Sequence, residues 1–190
     1  MTTEEEYGEI EEQIKNDTFI ISEKIWGFLK KKENIVVDTS VIIKWFFNDN
    51  EENAEASHLI LKRFINNEIG IITPEIALFE LANIVKNKIK TENNEMIGME
   101  IIDRIYNLGI VFKVTKQVLK NAFNIALAIN ESVYDCLFIA TAEHFNSKFI
   151  TDDKKLYLNY ENSKKNIKTG NLNSTYETIS LVLLKDYLKK

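Results

Sequence analysis

The chain is short of the residues that build the more easily recognised protein classes. It contains one cysteine, Cys136, one proline, Pro74, six glycines, two histidines and only two arginines, Arg63 and Arg104. A single cysteine excludes an internal disulfide framework and suits a reducing compartment. The histidines, His58 and His144, are too isolated to make a Cys/His zinc set. Six glycines leave no phosphate-cradling loop of the nucleotide-binding kind. No histidine stands near Cys136, so the thiol reads as a packed small side chain and not as a nucleophile. No apolar run approaches the roughly 18 residues that a membrane-spanning helix needs. The first twelve residues hold six glutamates and no base, a pattern unlike a signal or transit peptide. The expected location is cytoplasmic, away from any membrane.

What is present is the balance of an ordinary globular domain: 190 residues, 45% hydrophobic and 28% charged, enough for one core with an appended piece. The net charge of −5 is unevenly spread, because residues 154–190 carry eight lysines against three acids while the middle of the chain is acidic. An acidic middle argues against coating nucleic acid by bulk charge. It leaves room for an enzyme that meets phosphate through metal ions and a local basic patch. Short β-branched runs, at 34–38, 69–73, 110–114 and 148–151, alternate with helical stretches at about 53–67, 75–90, 93–108, 116–129 and 133–145. In 75–90, Ile76, Phe79, Ala82, Val85 and Ile89 recur at helical spacing and predict a core-facing stripe. Pro74 closes the second run and suits the first turn of the following helix. Strands alternating with helices predict an α/β fold, a parallel sheet of four to five strands with helices on both faces. The expected organisation is a helical extension over 1–33, a catalytic domain over 34–157 and a C-terminal extension over 158–190. Within the extensions, Thr18 to Lys32 reads as an amphipathic helix and 161–175 as a loop. The stretch from Tyr176 to Leu188 reads equally as a last strand (Thr178 to Leu183) or a short helix.

In an open parallel sheet, ligands bind beyond the carboxyl ends of the strands. Asp38 ends the first run and Asp153 follows the fourth. Asp135 opens the helix that precedes the fourth run, and its helix start faces the same edge. Glu80 lies inside the apolar stretch Ile76–Ala82, where an acid is costly unless paired or coordinated. Asn83 shares its helix face, placed to orient that carboxylate or to meet a phosphate. Each acid alone has a plainer reading: a helix cap at Asp38, a capping box at Ser132-x-x-Asp135, a turn at Asp153, a solvated or paired acid at Glu80. Capping does not require all four at one sheet edge. Gathered carboxylates repel and raise one another's pKa values, and hard divalent cations such as Mg²⁺ or Mn²⁺ relieve that. Of the other candidates, Trp45-Phe46-Phe47 is expected to pack against the core or a partner. Lys86, Lys88 and Lys90 form a mostly solvated face.

These residues resemble a PIN-domain nuclease of the VapC toxin kind. The likeness rests on Val37-Asp-Thr-Ser-Val-Ile42, Pro74-Glu with Phe79-Glu-Leu-Ala-Asn83, Tyr134-Asp-Cys-Leu with Ala140-Thr-Ala142, and Phe149-Ile-Thr-Asp-Asp153-x-x-Leu156. By position, Asp38, Glu80, Asp135 and Asp153 match the family's acidic, metal-holding residues, and Ser40, Asn83 and Thr151 its supporting polar ones. The fourth acid stands two after the threonine, which selects Asp153 over Asp152. The resemblance implies a Mg²⁺- or Mn²⁺-dependent endoribonuclease that leaves 5′-phosphate and 3′-hydroxyl ends. It also implies a homodimer and a small antitoxin partner whose segment enters the acidic groove. The alternatives are a PIN nuclease of RNA processing and a PIN-like module that binds RNA or protein without cutting. A phosphate-receiver site would need a lysine at a later strand end, but Lys148 begins its strand.

Overall fold

A computed structural model describes residues 33–47, 52–89, 95–167 and 179–187. The element order is β1 (Glu33–Val37), α1 (Thr39–Ile42) running into a 3-10 turn (Ile43–Trp45), α2 (Ala54–Ile65), β2 (Ile69–Pro74) and α3 (Ile76–Ile89). There follow α4 (Glu95–Asn107), β3 (Val111–Phe112), α5 (Lys116–Ile129), α6 (Val133–His144), β4 (Lys148–Thr151), α7 (Lys154–Ile167), β5 (Leu181–Leu183) and α8 (Leu184–Tyr187). The expected helices over 1–32 lie outside the described residues. No single described helix is long and apolar enough to cross a membrane.

The five strands form one all-parallel sheet in the order β3-β2-β1-β4-β5. Val36 at its centre is in register with Ile72 on one side and Phe149 on the other. All six residues of β2 and the last three of β1 are buried, so both faces of the sheet are covered, as continuous β-branched runs require. Helix α6 packs against β1, β2 and β4, while α2 packs against β2 and α8 against β4. Seven consecutive residues of α6, Cys136 to Ala142, are buried, because α5 packs along it. A helix apolar on every side is stable only when enclosed in this way. From β1 the chain moves to β2 and β3 on one side, then returns to β4 and β5 on the other. The strand order reverses between β1 and β4, and a crevice opens beyond their carboxyl ends.

The α/β architecture agrees with the sequence pattern, and the differences have local causes. Pro74 is the last residue of β2, and α3 starts two residues later. The expected strand over 110–114 keeps only two ladder residues, because Val114 N donates to the Glu75 carboxylate at 3.0 Å. The expected loop at 161–175 is helical as far as Ile167. There the hydroxyl of Tyr160 (3.1 Å) and Lys164 Nζ (2.8 Å) donate to the Ile179 carbonyl, tying α7 to the residues that lead into β5. Both readings of the tail hold in turn, a three-residue strand followed by a four-residue helix. Tyr160→Phe is expected to cost about 1 kcal/mol in a denaturant melt, because Lys164 keeps the carbonyl satisfied. A cost of several kcal/mol would show that the hydroxyl alone holds this joint. Phe79 departs from the sequence reading, since the buried stripe of α3 is Ala77, Leu81 and Val85 and Phe79 is 69% exposed.

Candidate active site

Asp38 sits one residue past β1 at the sheet's switch point. Its backbone N–H still reaches the Ile150 carbonyl of β4 at 3.3 Å, so the ladder fixes the residue before its side chain does anything. The side chain is almost fully buried. Its Oδ1 accepts from Ser40 Oγ at 2.6 Å and from Val41 N at 3.2 Å, and its Oδ2 accepts from the Thr151 hydroxyl. Burial pushes the carboxyl up to about 6, against the pull of the Ser40, Thr151 and Val41 hydrogen bonds and with a further push from the charge of Asp153.

Glu80 comes from the second turn of α3. It is half-buried and accepts from the Thr39 hydroxyl. Its carboxyl is raised, first by burial and then by the negative charge of Asp135, with the Thr39 bond pulling the other way. Asp135 stands in the first turn of α6, where Ser132 Oγ accepts from its backbone N–H at 3.0 Å and donates to its Oδ2 at 2.7 Å. Asp153 caps α7, its Oδ1 accepting from Lys155 N (2.8 Å) and Leu156 N (3.0 Å). Three of the four acids are therefore helix-start residues as well as neighbours of one groove. Capping and a place on the cavity wall go together in them.

One cavity of about 370 Å³ is lined by Asp38, Glu80, Asp135 and Asp153 together with Thr39, Ser40, Asn83 and the apolar Ile84, Phe138 and Leu156. Thr151 lies beneath it, fully buried, joining two of the acids: its hydroxyl donates to Asp38 and accepts from Asp153 N at 2.9 Å. Asn83 reaches the groove, but its Oδ1 accepts from Lys86 Nζ at 2.8 Å, so it is committed to the helix surface and not to Glu80. Thr39 is the supporting hydroxyl that the sequence reading left out, although it stands beside Asp38 in the first motif. Asp152 turns away from the groove, its Oδ2 3.3 Å from Lys44 Nζ.

The other candidates are accounted for by packing. His58 Nδ1 meets the Ala54 carbonyl, and His144 stacks on Phe112. Cys136 is buried, and that burial, with the nearby charges of Asp135 and Glu131, pushes its thiol up to about 12. A thiol so held is not a nucleophile at neutral pH. Trp45 donates to the Ser57 carbonyl, and Trp45, Phe46 and Phe47 pack on the core. Lys88 lies over the ring of Phe47 at 5.0 Å.

Among the described residues, no lysine, arginine or histidine lines the cavity, and two of its carboxyls, Asp38 and Glu80, are pushed toward protonation by burial and then by the charges of Asp153 and Asp135 respectively. An oxygen-only donor set under that strain suits a hard divalent cation, which removes the repulsion without a proton. Among the described residues, no three acidic, histidine or cysteine side chains already stand as a closed ligand set. The carboxylates rest on hydroxyl and amide donors, and an oxygen that accepts one such bond keeps a second lone pair to offer an ion.

Acids from four separate segments, backed by hydroxyls at the switch point of a parallel sheet, define a carboxylate site of the kind suited to phosphate chemistry with metals. Residues 35–161 match the PIN domain family. The chain belongs to that family, as its four motifs imply. It is similar to Ribonuclease VapC3 of Pyrobaculum aerophilum, 28% identical over 125 residues that span 64% of this chain and 91% of that relative. A solved structure, the crystal structure of PAE2754 from Pyrobaculum aerophilum, covers 67% of this chain and 86% of its own at 14% identity, with a TM-score of 0.48.

Proposed function

We propose that the protein is a divalent-metal-dependent endoribonuclease, in which Asp38, Glu80, Asp135 and Asp153 hold Mg²⁺ or Mn²⁺ and act as the catalytic acids. The observation that carries this is the meeting of those four carboxylates in one cavity that no basic side chain lines among the described residues. When bound, such an ion supplies positive charge against the phosphodiester and brings water within reach of nucleophilic attack at neutral pH. The protein's part is to hold the acids. Ser40 and Thr151 fix the two oxygens of Asp38, Thr39 fixes Glu80, and Ser132 fixes Asp135. Asn83 and Lys86, paired on the rim, are placed to meet the RNA backbone.

Similarity to a protein named Ribonuclease VapC3 supports a toxin's role with a small antitoxin as partner; the homodimer as working unit and the cytoplasm as setting are part of the same proposal. In that reading residues 34–157 form the catalytic domain, and the segments before and after it are extensions. Purified protein is expected to cut mixed structured RNAs in Mn²⁺ or Mg²⁺ and to stop cutting in EDTA. Cutting unaffected by EDTA would defeat the metal reading, and tight RNA binding without metal-dependent cutting would favour the non-catalytic module. For the toxin role, growth arrest on expression should be relieved by co-expressing a short protein encoded beside it.

A further inference from the structure

Beside the groove lies a polar cluster, built on a buried lysine, that lines no part of it. Lys44, in the 3-10 turn after α1, is 5% exposed, and its Nζ stands 3.3 Å from Asp152 Oδ2, with side-chain exposures of 7% and 15% for the pair. Asn53 Nδ2 donates to the other oxygen, Asp152 Oδ1, at 2.8 Å. Asp152 lies between Thr151, which holds Asp38, and Asp153, which lines the groove. Its own backbone N–H donates to Ser40 Oγ at 3.0 Å, and Ser40 Oγ donates to Asp38 Oδ1 at 2.6 Å. The side chain of Asp152 therefore anchors a peptide unit wired directly to the site.

Burying a lysine–aspartate pair is a poor way to gain stability, since an apolar pair of the same volume does as well or better. What an ion pair adds is a fixed geometry at both ends. Here one end is the segment after β1, carrying Asp38, Thr39 and Ser40, and the other is the β4–α7 turn, carrying Thr151 and Asp153. We propose that Lys44, Asn53 and Asp152 form a clamp of positioning residues, which locks these two segments together so that Asp153 faces the groove and the Ser40 hydroxyl faces Asp38. The clamp divides two neighbouring acids between two tasks: Asp152 takes the lysine and Asp153 takes the groove. This rests on the reading of the groove as a divalent-cation site.

The test is calorimetric titration of the full chain with Mn²⁺, together with a thermal melt of each variant. Asp152→Ala and Lys44→Met are expected to weaken Mn²⁺ binding about tenfold or more, the range seen when residues that orient metal ligands are lost. Asn53→Gly is the gentler probe. Asn53 has φ 63, which glycine adopts without strain, so only the hydrogen bond to Asp152 is lost, and a weakening of about threefold is expected. Two controls separate positioning from general loosening. Tyr160→Phe loses a buried hydrogen bond far along α7, and Lys154→Ala removes an exposed ion pair to Glu52. Both should bind Mn²⁺ as the unaltered protein does. If Asp152→Ala and Lys44→Met fail to fold, Asn53→Gly decides. Variants that melt earlier yet bind Mn²⁺ with unchanged affinity overturn this inference alone. No Mn²⁺ binding by the unaltered protein overturns the reading of the groove and the clamp with it.

Discussion

Asp38→Asn is expected to reduce RNA cleavage about 10³-fold, the scale on which losing one group aimed at the reacting charge is felt, and at the same time to make the metal-free protein more stable. The two effects share one cause. Asp38 is buried where its carboxyl titrates near 6 instead of 3.8, so keeping it ionised in the metal-free fold costs about 3 kcal/mol. Asparagine preserves the shape and can still accept from Val41 N and Ser40 Oγ. Its amide can donate to Thr151 Oγ1, whose hydroxyl donated to Asp38. It never ionises, so that cost disappears.

The sign with pH follows. A carboxyl whose folded pKa lies above its unfolded value binds protons more readily in the fold, so the penalty is fully present above about pH 6 and fades as pH falls toward 3.8. Thermal melts in EDTA should place Asp38→Asn above the unaltered protein by roughly 6–12 °C at pH 7.5, for a gain of about 3 kcal/mol, with the two converging near pH 4. Added Mn²⁺ should raise the melting temperature of the unaltered protein and leave the variant nearly unmoved, because only a ligand that binds the fold stabilises it. Equal melting of the two proteins across this range would mean that Asp38 carries its charge at no cost. Glu80 is raised for the same reasons and adds to the slope in the same direction.

The parts of the fold legible in the sequence are those set by local chemistry. β1 and β2 are unbroken β-branched runs, and α5 and α6 begin at Thr115 and Ser132, whose side chains accept from the third residue on. What was not legible depends on groups far away along the chain. The run at 110–114 reads as five strand residues, yet Val114 spends its N–H on Glu75, 39 residues earlier. The Asn- and Ser-rich end of α7 reads as a loop until Ile179 is placed beside Tyr160 and Lys164. At the site the acids were legible because their motifs sit at strand ends and helix starts. The hydroxyl of Thr39 and the pair of Lys44 with Asp152 were not, because nothing local distinguishes a threonine that meets Glu80, or an aspartate that meets a buried lysine, from their solvated counterparts.

Two phenylalanines separate pattern from packing most sharply, and the same substitution at each should give opposite results. Phe149, in β4, is fully buried, in register with Val36 and stacked on Phe138 of α6 at 6.0 Å. Phe149→Ala removes a ring from between sheet and helix, where neighbours relax only partly, and is expected to cost about 3–5 kcal/mol. Since Phe138 also lines the acidic cavity, the void opens beneath the site, and cleavage should fall even where the variant remains folded. Phe79 is also a ring in an apolar stretch, but it stands 69% exposed on α3. With little area to return to water, Phe79→Ala should shift stability by no more than about 0.5 kcal/mol. Urea melts of the two variants measure both numbers. Comparable losses would mean that Phe79 is covered in solution by something that packs on it, which would place a second surface next to Glu80.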